Sequence, residues 1–176
     1  MAILKVARMG HPVLRARARQ LERAEIAGAV VQKLIDDMID TMFEYRGVGL
    51  AAPQVHHSVR LFVASLDEDE APKSSDPDPI VLINPEIVAA APDTLEDWEG
   101  CLSIPDIRGR VSRARSVKVR ALNRKGERIE LDAKDFQARV IQHEYDHLDG
   151  VLFFDRMKSF ESLTFLDEYS RYWLED

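Results

Sequence analysis

"VIQHEYDHLDG", residues 140–150, sets two histidines four positions apart with a glutamate directly after the first. It closes a longer run, "KDFQARVIQHEYDHL", of helical length and composition, with Phe136, Val140 and Ile141 on or near one side and Gly150 just past the end. Positions i and i+4 of a helix share a face, so His143 and His147 direct ring nitrogens at one point. Two neutral imidazoles meeting there are half of a metal site. Glu144, one position round the helix, is too near in sequence to serve comfortably as a third ligand. It is well placed to take a proton from water held by the ion and later return it. The competing reading, a surface helix whose histidines face solvent, draws only on the nearby Asp146 and Asp149.

A catalytic site needs a third protein ligand and an open fourth position. An extended metzincin pattern would put a histidine six residues after His147, where the chain has Phe153, so that pattern fails. A thermolysin-like pattern would use a downstream glutamate, and Glu168 has about the right spacing. The other candidate is Cys101 in "WEGCLSIP". A thiolate is the stronger ligand for a borderline or softer divalent ion, and Gly100 beside it permits close backbone approach. A lone cysteine in a chain without disulfides is ordinarily core filler. Its neighbours Glu99, Gly100 and Ser103 are poor core material, which turns the reading towards a ligand.

Outward from this helix, apolar residues at Ile26, Val30, Leu34, Met38 and Met42, with Ile35 and Ile39 beside them, predict an amphipathic helix ending near Gly47. "GVGLAAPQV" then reads as a structured loop or irregular strand, because Gly47 and Gly49 permit unusual dihedrals and close approach by another backbone. "VRLFVASL" and "IVLINPEIVAA" have strand character, with Asn84-Pro85 a turn or bulge. Between them the acidic, Pro- and Ser-containing residues 67–79 predict a solvated loop. "SVKVRAL", "NRKG" and "ERIEL" predict a β-hairpin. The tail "SFESLTFLDEYSRYWLED" spaces Leu163, Leu166, Tyr169 and Trp173 as one face of a terminal helix. The fold class expected is α+β: antiparallel sheets packed around a central HExxH helix, with an N-terminal and a C-terminal helix. No repeat or long linker divides the chain, so residues 1–176 are expected to form a single domain.

At 176 residues and 45% apolar content the chain can build a full core. Its 24 basic and 31 acidic side chains, a net charge of −7, weigh against a protein built to grip nucleic-acid phosphates. The N-terminal apolar run is too short for a secretory h-region, and no stretch approaches a membrane span. One cysteine excludes an internal disulfide framework and fits a reducing compartment.

Three segments, "GVGLAAPQ" (47–54), "EGCLS" (99–103) and "QHEYDH" (142–147), resemble in order and spacing the signature motifs of peptide deformylases. "GHPVLR" and the first long helix are similar too, extending the resemblance from about residue 4 to 156. The resemblance implies removal of the formyl group from N-terminal formyl-methionine of nascent polypeptides, in bacteria or bacteria-derived organelles, and the location expected is the cytoplasm of a bacterium. It implies metal ligation by Cys101, His143 and His147, with Glu144 as acid/base. Gln54, by its side-chain amide, and Leu102, by its backbone N–H, would stabilise the oxyanion. Val48 and Gly49 would contact the substrate, and Arg108 falls near the substrate path. The ion implied is ferrous iron, with zinc, nickel or cobalt able to replace it. In some members a basic C-terminal helix docks on the ribosome. Here Glu161, Asp167, Glu168, Glu175 and Asp176 outnumber Lys158 and Arg171, so only transient proximity to the ribosome is expected. The rival readings are an HExxH endopeptidase using Glu168, and a relative that binds peptide N-termini without chemistry.

Overall fold

In the computed structural model, residues 2–66 and 79–174 are described. The acidic stretch expected to be a loop lies outside them, apart from the buried Pro79. A single 3-10 turn, Pro12–Arg15, precedes two helices, α1 (Arg23–Ile26) and α2 (Ala29–Glu44). The helix expected from Ile26 onward is therefore broken. Gly28 takes an extended conformation, with φ −72° and ψ 146°, and restarts the helix at Ala29. The restart rotates the buried face. Val31, Leu34, Ile35, Met38 and Met42 are buried, while Val30, expected on that face, is 81% exposed.

Strand β1 (Gly49–Ala51) leads into a 3-10 turn, Ala52–Val55, followed by β2 (Leu61–Ala64) and β3 (Ile80–Ala90). In β3 the Asn84-Pro85 pair produces a register shift against its neighbour between Ile83 and Glu86 rather than a reversal of the chain. Asn84 holds φ at 49°, a region this residue type tolerates. Its side chain pairs with the backbone of Leu21, donating to the carbonyl at 2.8 Å and accepting from the N–H at 2.9 Å.

A long hairpin, β4 (Thr94–Cys101) and β5 (Ile104–Ala114), was not anticipated from sequence, and it carries the EGCLS motif at its turn. The expected hairpin follows as β6 (Ser116–Leu122) and β7 (Arg128–Lys134). Asn123 closes its turn by accepting from the N–H groups of Lys125 and Glu127. Then come α3 (Asp135–Leu148), a 3-10 turn Phe153–Arg156, the two-residue strand β8 (Thr164–Phe165) and α4 (Leu166–Tyr172). The expected terminal helix is thus shortened. Leu163 lies outside it, and α4 buries no residue.

The strands form two antiparallel sheets, one ordered β1-β2-β3-β6-β7 and the other β4-β5-β8. Alternation along β2 divides the larger sheet's two faces. Leu61 and Val63 join Ile35, Met38 and Met42 of α2, while Phe62 and Ala64 join Ala138, Ile141 and Leu148 of α3. A third cluster, containing Leu14, Ile104, Val111, Leu152 and Phe153, packs around the β4–β5 hairpin and includes Cys101. Helix α3 contacts β1, β2, β6 and β7 of one sheet and β5 of the other. Its end is tightly specified: Gly150 has φ 73°, and a Cβ there would lie 2.6 Å from the Arg15 carbonyl oxygen.

Candidate active site

Helix α3 presents His143 and His147, and the turn of the β4–β5 hairpin presents Cys101. All three are buried, and their donor atoms lie within 4.8 Å of one another. His147 Nε2 is 3.3 Å from Cys101 Sγ and 3.2 Å from His143 Nε2. His143 Nδ1 is 2.9 Å from Glu99 Oε2. Donation of that N–H to the carboxylate leaves the Nε2 lone pair facing His147. A sulfur and two imidazole nitrogens converging out of water suit a borderline divalent ion. Two buried polar atoms without a partner among the described residues, Glu144 Oε2 and His147 Nδ1, lie in the same region. The residues present therefore fit a metal. Glu168, the rival third ligand, stands apart on α4, half-exposed and 3.6 Å from Arg171.

Ionic support for this cluster was not legible in sequence. Glu99 is 4% exposed and accepts from Arg113 at 2.8 and 2.9 Å, from Arg139 at 2.8 Å and from His143. Arg113 also reaches Asp146, which in turn pairs with Arg156 at 2.7 Å. Burial works against charge on Glu99, but the hydrogen bonds from Arg113 and His143 outweigh it and hold the carboxyl well below the usual range. Glu99 and Ser103 are poor core material, as the sequence suggested, and they are buried even so, because each has polar partners. The signal available was the spacing of Arg139, His143 and Asp146, which places all three on the hairpin-facing side of α3.

Gln54 sits in the turn after β1. Its Oε1 accepts from the Ala51 N–H at 2.8 Å, which turns Nε2 towards Cys101 Sγ at 3.5 Å and Ser103 Oγ at 3.3 Å. Leu102 follows the cysteine in the hairpin turn, half-buried, with its side chain against Gly47. Neither Gly47 nor Gly49 has the unusual dihedrals expected of it, since the positive-φ glycines are Gly10, Gly126 and Gly150. Space is what requires Gly49. A Cβ there would fall 2.4 Å from Glu144 Oε1 and 2.8 Å from Cδ and Cγ. Gly49→Ala is accordingly expected to push Glu144 from its seat and to cost about 1–3 kcal/mol in a urea melt. A melt matching that of the unsubstituted chain would show that the carboxylate has room to move.

Burial raises the Glu144 carboxyl to about 7. Burial also pushes His147 well below its ordinary value. His143 moves the other way: against the effect of burial, hydrogen bonds to Cys101 and Glu99 raise it.

A cleft of about 790 Å³ opens onto these groups, lined in part by Val48, Gly49, Gln54, Cys101, Leu102 and Arg108. Val48 anchors its loop by accepting from the Ser65 N–H at 2.9 Å, and β1 is an edge strand with one side unpaired in the sheet. Arg108 lies across the hairpin over Gly100, where a Cβ would meet its guanidinium at 2.1 Å. Lys5, Arg8 and Arg46 also line the cleft, a local basic rim on an acidic chain.

A protein-family model described as polypeptide deformylase matches residues 3–162. The chain is 44% identical over 168 residues to peptide deformylase 2 of Nostoc sp., covering 95% of this chain and 93% of that protein. It is 47% identical over 163 residues to the peptide deformylase of Salinibacter ruber, covering 90% and 82% respectively. Among solved structures, the class I type b peptide deformylase of Acinetobacter baumannii with Met-Ala-Ser bound superposes with a TM-score of 0.82 at 39% identity. That match covers 89% of this chain and 99% of the other. Because the matched residues include both sheets' site-forming turns and all of α3, and the identity runs along nearly the whole length, the chain belongs to the polypeptide deformylase family.

Proposed function

We propose that this protein hydrolyses the formamide of N-terminal formyl-methionine on nascent polypeptides, releasing formate and a free amine. The observation that carries the reading is the convergence of Cys101, His143 and His147 on a cleft that Cys101, His143 and Glu144 line, with Glu144 Oε2 buried and without a partner among the described residues. Cys101, His143 and His147 would hold one divalent ion, which when bound supplies Lewis acidity and lowers the pKa of water. Glu144 takes the proton of the attacking water and passes it to the leaving nitrogen as the C–N bond breaks. Burial raises its carboxyl, which favours holding the proton until the leaving nitrogen takes it.

Gln54 Nε2 and the Leu102 N–H donate to the formyl oxygen as charge builds on it, a role worth about 3–4 kcal/mol per donor in such sites. Gln54 is oriented for this because its carbonyl oxygen is occupied by Ala51. The free side of β1 from Gly49, with Val48 just before it, receives the peptide as an added strand, and Arg108 lines the same cleft.

Ferrous iron is the ion assigned, with zinc, nickel and cobalt as competitors for the same donors. We also infer that residues 1–176 act as one catalytic domain organised around α3, whose contacts to both sheets support this, in the cytoplasm of a bacterium. No helix among the described residues is long and apolar enough to cross a membrane. Contact with the ribosome is transient and carried by the nascent peptide, and no nucleic acid is bound directly.

Formate release from formyl-Met-Ala-Ser by anaerobically prepared protein tests the reading, and its absence in metal-loaded protein would defeat it. Cys101→Ser is expected to weaken ion binding by at least about tenfold, because a protonated hydroxyl replaces a thiolate. Metal content after dialysis against graded chelator measures this, and equal retention by both proteins would remove Cys101 from the ligand set.

A further inference from the structure

The charges exposed on the cleft wall have the sign opposite to that of the chain. Lys5, Arg8 and Arg46 are exposed there and Arg108 is half-buried, against one exposed carboxylate, Asp106, while the chain as a whole carries −7. The other carboxylates and guanidinium of the cleft, Glu99, Glu144 and Arg139, are buried. Surface arginines elsewhere are largely paired, as Arg19 is with Glu25 at 2.7 Å, Arg115 with Asp135 at 2.8 Å and Arg120 with Glu130 at 2.7 Å. Lys5, Arg8 and Arg46 have no carboxylate within ion-pairing distance among the described residues. The backbone fixes all three. The N–H groups of Leu4, Ala7 and Met9 donate to Thr41 Oγ1 at 2.9 Å, the Gln54 carbonyl at 2.7 Å and the Ser103 carbonyl at 2.8 Å, which ties down the segment on either side of Lys5 and Arg8. Arg46 follows the last turn of α2, where its N–H donates to the Phe43 carbonyl at 3.0 Å and that of Gly47 to the Met42 carbonyl at 2.9 Å. In this helix ending glycine ordinarily takes the left-handed position. Arg46 holds it instead, with φ 53°, at a cost in stability that the ending itself does not require.

We propose that Lys5, Arg8 and Arg46 select nascent peptides that carry carboxylates after the formyl-methionine, a reading that rests on the deformylase function above. The cations are exposed, so each carboxylate they attract contributes a small factor and the selection comes from their sum. Net charge and rim make opposite predictions. A chain of −7 repels an acidic peptide at long range and draws in a basic one. Within a Debye length, about 10 Å at 0.1 M salt, the nearest charges dominate, and at the cleft these are the rim cations. The sign of the preference therefore reports which of the two governs binding.

The test compares kcat/KM for formyl-Met-Glu-Glu-Glu and formyl-Met-Lys-Lys-Lys, both amidated, at about 0.05 M ionic strength. The unsubstituted protein is expected to favour the glutamate peptide by about tenfold, and by less than about twofold at about 0.5 M, where exposed charges are screened. Arg46→Gly should lower the low-salt ratio about threefold. It should melt no lower than the unsubstituted protein, because glycine takes the left-handed position freely. Combining it with Lys5→Gln and Arg8→Gln should bring the ratio to one or below. Lys125→Gln, which removes an exposed charge in the β6–β7 turn outside the cleft lining, should keep the original ratio. A thermal melt confirms that each variant is folded, and Arg46→Gly alone decides should the triple variant not fold. A low-salt preference for the lysine peptide, a ratio unchanged in Arg46→Gly, or an equal fall in Lys125→Gln overturns the selection. Formate release from formyl-Met-Ala-Ser in the same preparation leaves the deformylase reading intact in each of those cases. Absence of formate from all three peptides with the unsubstituted protein overturns the two together.

Discussion

Glu144→Gln is expected to lower kcat for formyl-Met-Ala-Ser by about a thousandfold, in the middle of the range for losing a positioned acid/base, while metal content stays the same. The substitution nearly preserves volume, so the tight seat against Gly49 remains filled. Glu144 is outside the Cys101, His143 and His147 set, so the donors are untouched. What disappears is a carboxyl that burial raises to about 7, replaced by an amide that does not exchange a proton in this range. KM should change little, because in the proposed reading β1 and the hairpin, not Glu144, hold the peptide. Steady-state kinetics beside metal analysis of the same sample measures both quantities. A kcat within tenfold of the unsubstituted protein would place the proton transfer on another group.

The second large effect is expected for Glu99→Ala. It leaves Arg113 and Arg139 buried without their shared carboxylate and should cost about 3–5 kcal/mol, as removal of one partner from a buried ion pair does. It also leaves His143 Nδ1 without its acceptor, which should weaken metal binding by about 10–100-fold. Urea unfolding of metal-free protein separates the first loss from the second, read by chelator competition. The pH dependence has a definite sign. A carboxyl depressed below its ordinary 4.5 contributes stability in full above that value, and the contribution is lost as pH falls below 4.5 towards the depressed folded value. Metal-free Glu99→Ala should therefore show a shallower loss of stability over that acid interval. Matching unfolding curves for the two proteins at neutral pH would mean that Arg113 and Arg139 find other partners.

Legibility in sequence followed how local each feature is. Helix α3, its glycine stop and the β6–β7 hairpin are written in neighbouring residues and were readable as such. The restart at Gly28 was not, because the apolar spacing from Ile26 to Met42 reads smoothly across it. Only packing of α2 against β1 and β2 selects Val31 over Val30. The β4–β5 hairpin is not legible in sequence because the exposed portion of β4 lacks a clean apolar alternation. In sequence Gly47 and Gly49 suggest backbone freedom, yet what demands glycine there is Leu102 and Glu144, brought in from distant segments.

By itself, the sequence determined the donor types and their local order: two imidazoles one helical turn apart, a carboxylate between them and one cysteine upstream. Helical periodicity alone brings the histidines together. Tertiary structure decided that Cys101 rather than Glu168 lies beside His143 and His147, that Glu99 pairs with His143 within a buried arginine network, and that the terminal segment borders the cleft. Those outcomes depend on which faces of distant elements meet, and that is set by burying the apolar sides of α2, α3 and the two sheets together.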